Sequence, residues 1–171
     1  IYDNYIDVFQ LHFVSPIANG GLSSYKYYLV DSASFDGKWC YKLMFKPRHK
    51  QTLTFTGNMW VHDTTFAIRE IEMHIANDAN MNFVNDLVIN KSFEIINGNR
   101  WVLTRDYTIA DFNITENNKR TVGFFGKKTT TCRNYIINQP KAPSFYNSPV
   151  NVLVSDSADL HNDKYWLENR H

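Results

Sequence analysis

Cysteine is scarce in this sequence. The 171 residues include only Cys40 and Cys132, and the two stand outside any C-x-x-C pair. That spacing excludes zinc ribbons and thioredoxin-like redox motifs. The two thiols can form one disulfide or remain free in the core, and the residues leave both readings open. A chain of this length buries roughly 70% of the surface that it exposes when unfolded, so one domain needs no disulfide or metal to be stable.

An excess of charge and a long apolar run are also missing. Eighteen basic residues stand against seventeen acidic ones, a formal net charge of +1, which argues against a nucleic-acid partner. No run of 18 apolar residues occurs, and the first residues do not show the charged and then apolar pattern of a signal peptide. The chain itself is therefore not expected to span a membrane, and we expect any signal or anchor to lie elsewhere in its parent protein. Since it begins at Ile1 in a strand-like pattern, we expect a domain taken from a longer protein.

Catalytic motifs are absent as well. The six histidines form no H-x-H or H-E-x-x-H pair, and there is no G-x-S-x-G elbow or phosphate-binding glycine loop. The sequence therefore predicts a protein that is not an enzyme, with no catalytic residue and no cofactor.

Alternation of apolar and polar residues with a period of two dominates the chain and predicts antiparallel strands with one buried face. Residues 66–75 change parity midway, which predicts a β-bulge near Arg69 and Glu70. The predicted strands cover residues 5–14, 38–46, 52–62, 66–75, 83–96, 101–110 and 128–138.

Short turn sequences separate these strands, among them Asp36-Gly37, residues 63–65 and residues 97–99, so neighbouring strands should pair as hairpins. Several strands are long enough that the sheet must twist and curl. We therefore predict an all-β fold with minor helix: a long, strongly curved antiparallel sheet forming a half-barrel or incomplete barrel.

The regions outside this sheet carry weaker signals. Residues 15–24 are predicted to form a loop that can include one helical turn. Residues 139–149, which contain three prolines, are predicted to form an extended connection. Asn162-Asp163 can cap a short C-terminal helix. The predicted organisation is a sheet domain over 1–138, followed by an extended segment and linker over 139–171.

Two groups of polar residues are candidates for a catalytic or a metal site. Glu70 and Glu72 share one strand face, where two carboxylates can shift each other's pKa, but a solvated face is the favoured reading. The Asn- and Asp-rich residues 77–86 offer oxygen ligands suited to calcium. An EF-hand register is missing and these residues also favour turns, so no metal site is predicted.

Basic clusters and one tryptophan remain. Lysines and arginines at 46–50, 119–120 and 127–128 can meet phosphate headgroups or simply reflect the lysine content of ordinary loops. Trp60 stands on the polar side of its strand. It either marks a contact surface or lies under residues 139–149, and both readings stay open.

Several stretches together resemble one known family. They are residues 13–18 (FVSPIA), 41–50 (YKLMFKPRHK), 53–57 (LTFTG) with Trp60, 63–65 (DTT) and 80–83 (NMNF). Through these stretches, which span roughly residues 5–138, the chain resembles the middle region of an uncharacterised family of Bacteroidetes envelope proteins. Those proteins pair a carboxypeptidase-regulatory-like domain with a predicted outer-membrane β-barrel. Residues 57–71 are also similar, more weakly, to the curved sheet of periplasmic lipoprotein carriers and receptors.

The resemblance implies a periplasmic domain at the outer membrane, beside the barrel of its parent protein, and no catalytic residue transfers from it. An open apolar face would accept a lipid or acyl chain, whereas a filled face would be structural. Glycan binding or carbohydrate processing, with Glu70, Glu72 and Asp86 as the acids, is the alternative. The residues predicted to contact a ligand are Trp39, Tyr41, Leu43, Phe45, Phe55 and Trp60.

Overall fold

The computed structural model describes residues 1–79, 81, 84–98, 100–113 and 123–147. The chain forms two compact units, Ile1–Arg133 and Asn134–His171. The described elements are β1 (Tyr5–Val8), β2 (Leu11–Val14), α1 (Gly21–Ser24), β3 (Tyr25–Phe35), β4 (Lys38–Pro47), β5 (Phe55–His62), β6 (Ile68–Ile75), β7 (Val84–Ile96), β8 (Arg100–Asn113), β9 (Gly123–Thr131) and α2 (Pro143–Tyr146).

Strands β3 to β9 form one antiparallel sheet in which each strand pairs with the next along the chain. Tight turns with left-handed backbone join them at Asp36-Gly37 (φ 51° and 75°) and at Asn97-Gly98 (φ 45° and 97°), as hairpins require. The sheet does not close into a barrel, so β3 and β9 are its edges. The predicted fold class, an all-β open antiparallel sheet with minor helix, is confirmed.

The predicted bulge in β6 is present. Glu70 pairs with Trp60, but the next pair joins Ile68 to Val61, so Arg69 has no partner in β5. The extra residue keeps both Ile68 and Ile71 on the buried side although their spacing is odd. The change of parity in the sequence therefore marks a real irregularity of the sheet.

The prediction of one strand over 5–14 is wrong, because the segment is a hairpin. It turns at Phe9 and Gln10, which adopt left-handed backbone with φ 48° and 65°, and pairs Tyr5 with Val14. A Phe-Gln turn lacks the Asn-Gly signal that normally marks such a hairpin. Phe9, Leu11 and Phe13 also alternate with polar residues across the turn, which is why the sequence reads as one strand.

This hairpin packs on the large sheet and fills part of its core. The Phe13 ring lies 5.0 Å from the Phe55 ring, and both side chains are fully buried, as is most of Val8. The Val14 amide also donates a hydrogen bond to the Leu53 carbonyl, at 2.9 Å. The N-terminal segment is therefore an integral layer of the domain.

Two further strands differ from the prediction. Strand β3 was not predicted, because a register shift between Leu29 and Asp31 interrupts its alternation. Strand β9 covers Gly123–Thr131 instead of 128–138. Residues 132–137 are irregular, and the left-handed Asn134 is incompatible with a regular strand.

The connecting segments gain two single-turn helices. Helix α1 lies within residues 15–24, where the prediction included one possible turn. Helix α2 lies within residues 139–149, which were predicted to be extended. Helix α2 begins at Pro143, whose fixed φ suits a first helical position. The predicted helix after Asn162-Asp163 lies outside the described residues.

Cys40 and Cys132 are free thiols, and burial raises the pKa of the Cys40 thiol.

Tyr25 fastens the hairpin to the sheet, and its removal is the first prediction. Its buried hydroxyl donates to the Val14 carbonyl at 2.5 Å and accepts from the Phe55 amide at 3.0 Å. Tyr25→Phe leaves both backbone groups unpaired and should lower the free energy of unfolding by about 1–3 kcal/mol in urea titrations.

The same residue predicts a dependence on pH. Burial raises the pKa of Tyr25 far above its ordinary range, so above about pH 10 the unfolded chain loses a proton that the folded chain keeps. The contribution of Tyr25 to the free energy of unfolding should be fully present below that pH. It should fall as the pH rises through the alkaline range. In Tyr25→Phe this fall should be smaller, and equal slopes for the two proteins would show that Tyr25 is not the group responsible.

Candidate functional site

The two faces of the sheet are distinguished by strand register. Phe45, Gly57, Met73, Ile89 and Thr108 stand opposite one another across five strands, and we call the face that they share the inner face. The hairpin of β1 and β2 packs against this face. The residues between them in each strand form the outer face.

Two of the predicted ligand residues are closed off on the inner face. Phe45 and Phe55 are fully buried. The Tyr25 ring lies 5.9 Å from Phe45 and the Phe13 ring 5.0 Å from Phe55. These two phenylalanines are core residues of the domain, since side chains of the same chain occupy the space above them.

Toward β8 and β9 the inner face also carries polar groups. Lys91 Nζ lies 2.5 Å from Asp106 Oδ2, with both side chains largely buried. Thr108 and Thr130 follow on the same face. The inner face of β8 therefore combines polar and apolar groups, since Ala110 is buried there and the Phe9 ring of the hairpin lies 5.3 Å from the Phe112 ring.

An apolar area of the inner face is left uncovered along β3 and β4. Leu29 is 65% exposed, Trp39 45% and Tyr41 41%, and the half-buried Leu43 pairs with Leu29 across the two strands. We call Leu29, Trp39, Tyr41 and Leu43 the edge patch. Three predicted ligand residues lie in it, whereas Leu29 was missed because β3 was not predicted.

Trp60 lies on the outer face, away from the other five residues that were predicted to contact a ligand. Its half-buried ring meets the edge of the Phe35 ring at 4.9 Å, and Lys42 Nζ lies 5.6 Å from the ring centre. Arg69 stands over Phe35 and forms an ion pair with Asp36 at 3.5 Å. The six predicted residues therefore do not form one site, and a ligand role for each stays a prediction.

The candidate acids also lie on the outer face. Glu72 Oε1 is 3.3 Å from His74 Nε2, and His74 Nδ1 is 3.6 Å from Asp86 Oδ2. Glu70 stands opposite Trp60 instead. All three carboxylates are exposed, as the solvated-face reading of Glu70 and Glu72 expects.

The Asn- and Asp-rich segment makes structural contacts where it is described. Asp78 Oδ2 accepts a hydrogen bond from the Gln51 amide at 3.1 Å, and Asn85 donates to Asp111 at 3.3 Å. An open cleft of about 770 Å³ lies beside these residues. Asn80 and Asn82 lie outside the described residues, and within the described part of the chain no three His, Cys, Asp or Glu side chains are placed to hold a metal ion.

The basic clusters have different surroundings. Arg48 donates to the Leu22 carbonyl at 3.1 Å, and Lys127 lies 5.2 Å from the Tyr107 ring. Residues 119–120 are not among those described. A contact of these clusters with headgroups stays a prediction.

Fold and surface together define a class of protein: an open antiparallel β-meander whose apolar face is packed by its own N-terminal hairpin, leaving an apolar patch beside one edge. Neither described helix is long enough to cross a membrane.

The chain belongs to a family of unknown function, DUF5686, whose sequence model matches residues 1–135. No curated protein and no solved structure matches it. The resemblance to an uncharacterised family is thereby confirmed, while the envelope location and the neighbouring barrel stay predictions.

Proposed function

We propose that this chain is a non-enzymatic periplasmic module of an outer-membrane-associated protein, and that its edge patch binds a protein partner, the adjacent barrel of its parent. The module positions that partner and carries no chemistry of its own. Its family provides no established activity, so the proposal depends on the surface of the sheet.

The observation that carries the proposal is the contrast within the inner face. Phe45 is fully buried, whereas Trp39 and Tyr41, on the same face of the same strand, are exposed together with Leu29. Burying such side chains stabilises a complex by roughly 25 cal/mol per Å² of apolar surface. Contiguous exposed apolar surface of this kind marks interaction sites in soluble domains.

The same contrast argues against the lipid reading. A carrier of acyl chains needs an open apolar concavity, but Phe13 and Tyr25 occupy the space above Phe55 and Phe45. An acyl chain could enter only if the hairpin left the sheet. The edge patch itself consists of exposed side chains on two neighbouring strands, which suits a protein surface better than a single chain of methylenes.

Glycan binding is the second candidate, and one observation favours it. Trp39 and Tyr41 are two residues apart on one strand face, about 7 Å along the strand, so their exposed rings can stack on neighbouring sugars. Carbohydrate processing gains no such support, because Glu70, Glu72 and Asp86 lie on the opposite face. A tryptophan fluorescence shift on adding periplasmic oligosaccharides, lost in Trp39→Ala, would favour glycans over a protein partner.

The proposal is tested by photo-crosslinking in the full-length parent protein in its own membrane. A benzophenone amino acid at Trp39 should crosslink to the barrel of the same polypeptide. The matched control is Phe66, an aromatic residue that is 77% exposed on the β5–β6 turn, and it should give no such product. Equal crosslinking from both positions, or none from Trp39, would contradict the proposal.

A further inference from the structure

Strand β3 is a long edge with unpaired backbone groups. It covers eleven residues, Tyr25–Phe35, and pairs only with β4; no other strand within the described ranges lies along it. Natural edge strands are usually short, or are protected by proline, by charged side chains such as lysine, by inward-pointing charges or by a bulge, because open amide and carbonyl groups can pair with another chain. Strand β3 contains no proline.

A bulge divides this edge into two parts. The register shift between Leu29 and Asp31 leaves Val30 without a partner in β4, so regular pairing covers Tyr25–Leu29 on one side of it. Five residues is a typical strand length. Each of the two parts, Tyr25–Leu29 and Asp31–Phe35, can therefore accept one extended segment of ordinary size, and Tyr25–Leu29 is the one with an exposed leucine on its inner side.

The inner side of this part is apolar. Leu29 is largely exposed there and belongs to the edge patch with Leu43. A segment added beside β3 would place every second side chain on the inner face. The one next to Leu29 covers it without burying an unpaired polar group only if it is apolar.

The outer side is basic. Lys26 and Lys46 stand directly opposite each other in the register, an arrangement that is unfavourable for two like charges. Lys46 Nζ also lies 4.9 Å from the centre of the Tyr28 ring. Acidic side chains on a neighbouring strand would relieve the repulsion between the two lysines.

We propose that Tyr25–Leu29 accepts an extended partner segment as an eighth strand, one whose side chains alternate between apolar residues on the inner face and acidic residues on the outer face. Backbone hydrogen bonds supply affinity in this mode of recognition, and the two rows of side chains supply specificity. The inference rests on the proposed function, since the added strand would belong to the protein partner and would cover Leu29, the edge-patch residue at the end of Tyr25–Leu29.

Synthetic peptides can test the inference without the native partner. The probe is a labelled eight-residue peptide of alternating valine and glutamate. A second peptide alternates valine and lysine, and a third has four valines followed by four glutamates. By fluorescence anisotropy we expect the alternating Val-Glu peptide to bind at least about tenfold more tightly than either control, with NMR amide shifts concentrated in β3.

Charge reversal supplies the decisive variant. Lys26→Glu with Lys46→Glu should weaken Val-Glu binding about tenfold and make Val-Lys the preferred peptide. Lys127→Glu with Lys128→Glu, at exposed positions of β9, changes the net charge equally and should change nothing. Equal affinity for the block peptide, an unchanged preference in the β3 variant, or equal loss in the β9 variant would overturn the inference.

The two proposals can fail separately. If Trp39 crosslinks to the barrel but no peptide shows the preference, the edge patch binds a partner by another mode and strand addition is wrong. If the peptides behave as expected but Trp39 does not crosslink, β3 accepts strands and the barrel is not the partner.

Discussion

Phe13→Ala is expected to lower the free energy of unfolding by about 3–5 kcal/mol, the cost of truncating a buried phenylalanine in a core that cannot fully collapse. Phe13 is fully buried and joins the N-terminal hairpin to the large sheet through its contact with Phe55 at 5.0 Å. The loss should be as large as that of a central core residue, although Phe13 belongs to a separate two-stranded sheet.

Urea or thermal unfolding of the 171-residue chain measures this effect. Phe66→Ala is the matched control, because it removes the same atoms from a side chain that is already exposed. The control should stay within about 0.5 kcal/mol of the original chain. If the two variants were equally stable, the hairpin would not be a layer of the core, and the inner face would be open.

Gly57→Ala should also lower the free energy of unfolding, by about 3 kcal/mol or more, because it adds an atom to a filled position instead of leaving a cavity. A Cβ at residue 57 would lie 1.9 Å from the Glu72 carbonyl oxygen and 3.0 Å from the Phe45 ring. The first of these is a backbone atom of the neighbouring strand, so the sheet itself would have to shift.

Gly126→Ala provides the comparison for this second prediction. Its added Cβ would meet the Phe112 ring at 3.5 Å, an ordinary contact, and Gly126 is likewise within a strand. We expect little change or a slight gain in stability, since alanine restricts the unfolded chain. Equal losses at both glycines would show that the close approach at Gly57 is not what requires glycine there.

Much of the sheet follows directly from local patterns in the sequence. Alternation sets the strands, Asp36-Gly37 and Asn97-Gly98 set two of the turns, and the parity change near Arg69 sets the bulge, because each depends on residues that are neighbours in the chain. The same dependence explains the failures. The bulge at Val30 disguises β3, and the Phe9-Gln10 turn carries no turn signal, so β1 and β2 read as one strand.

The candidate site depended on long-range packing that no local pattern contains. Trp39, Tyr41, Leu43 and Phe45 alternate identically in the sequence, yet Phe45 is fully buried and Trp39 is not. The difference arises because Tyr25 packs against Phe45, whereas Trp39 lies toward the other end of the strand. Leu29 joins the patch only through its pairing with Leu43.

The central claim is that the hairpin fills the inner face, so that the domain acts through its surface and carries no acyl chain. Native mass spectrometry of the chain purified from an envelope fraction tests it most directly. We predict the mass of the bare polypeptide, unchanged when fatty acids or phospholipids are added. A stoichiometric acyl lipid that is lost in Leu43→Glu, with the circular dichroism spectrum intact, would contradict the claim.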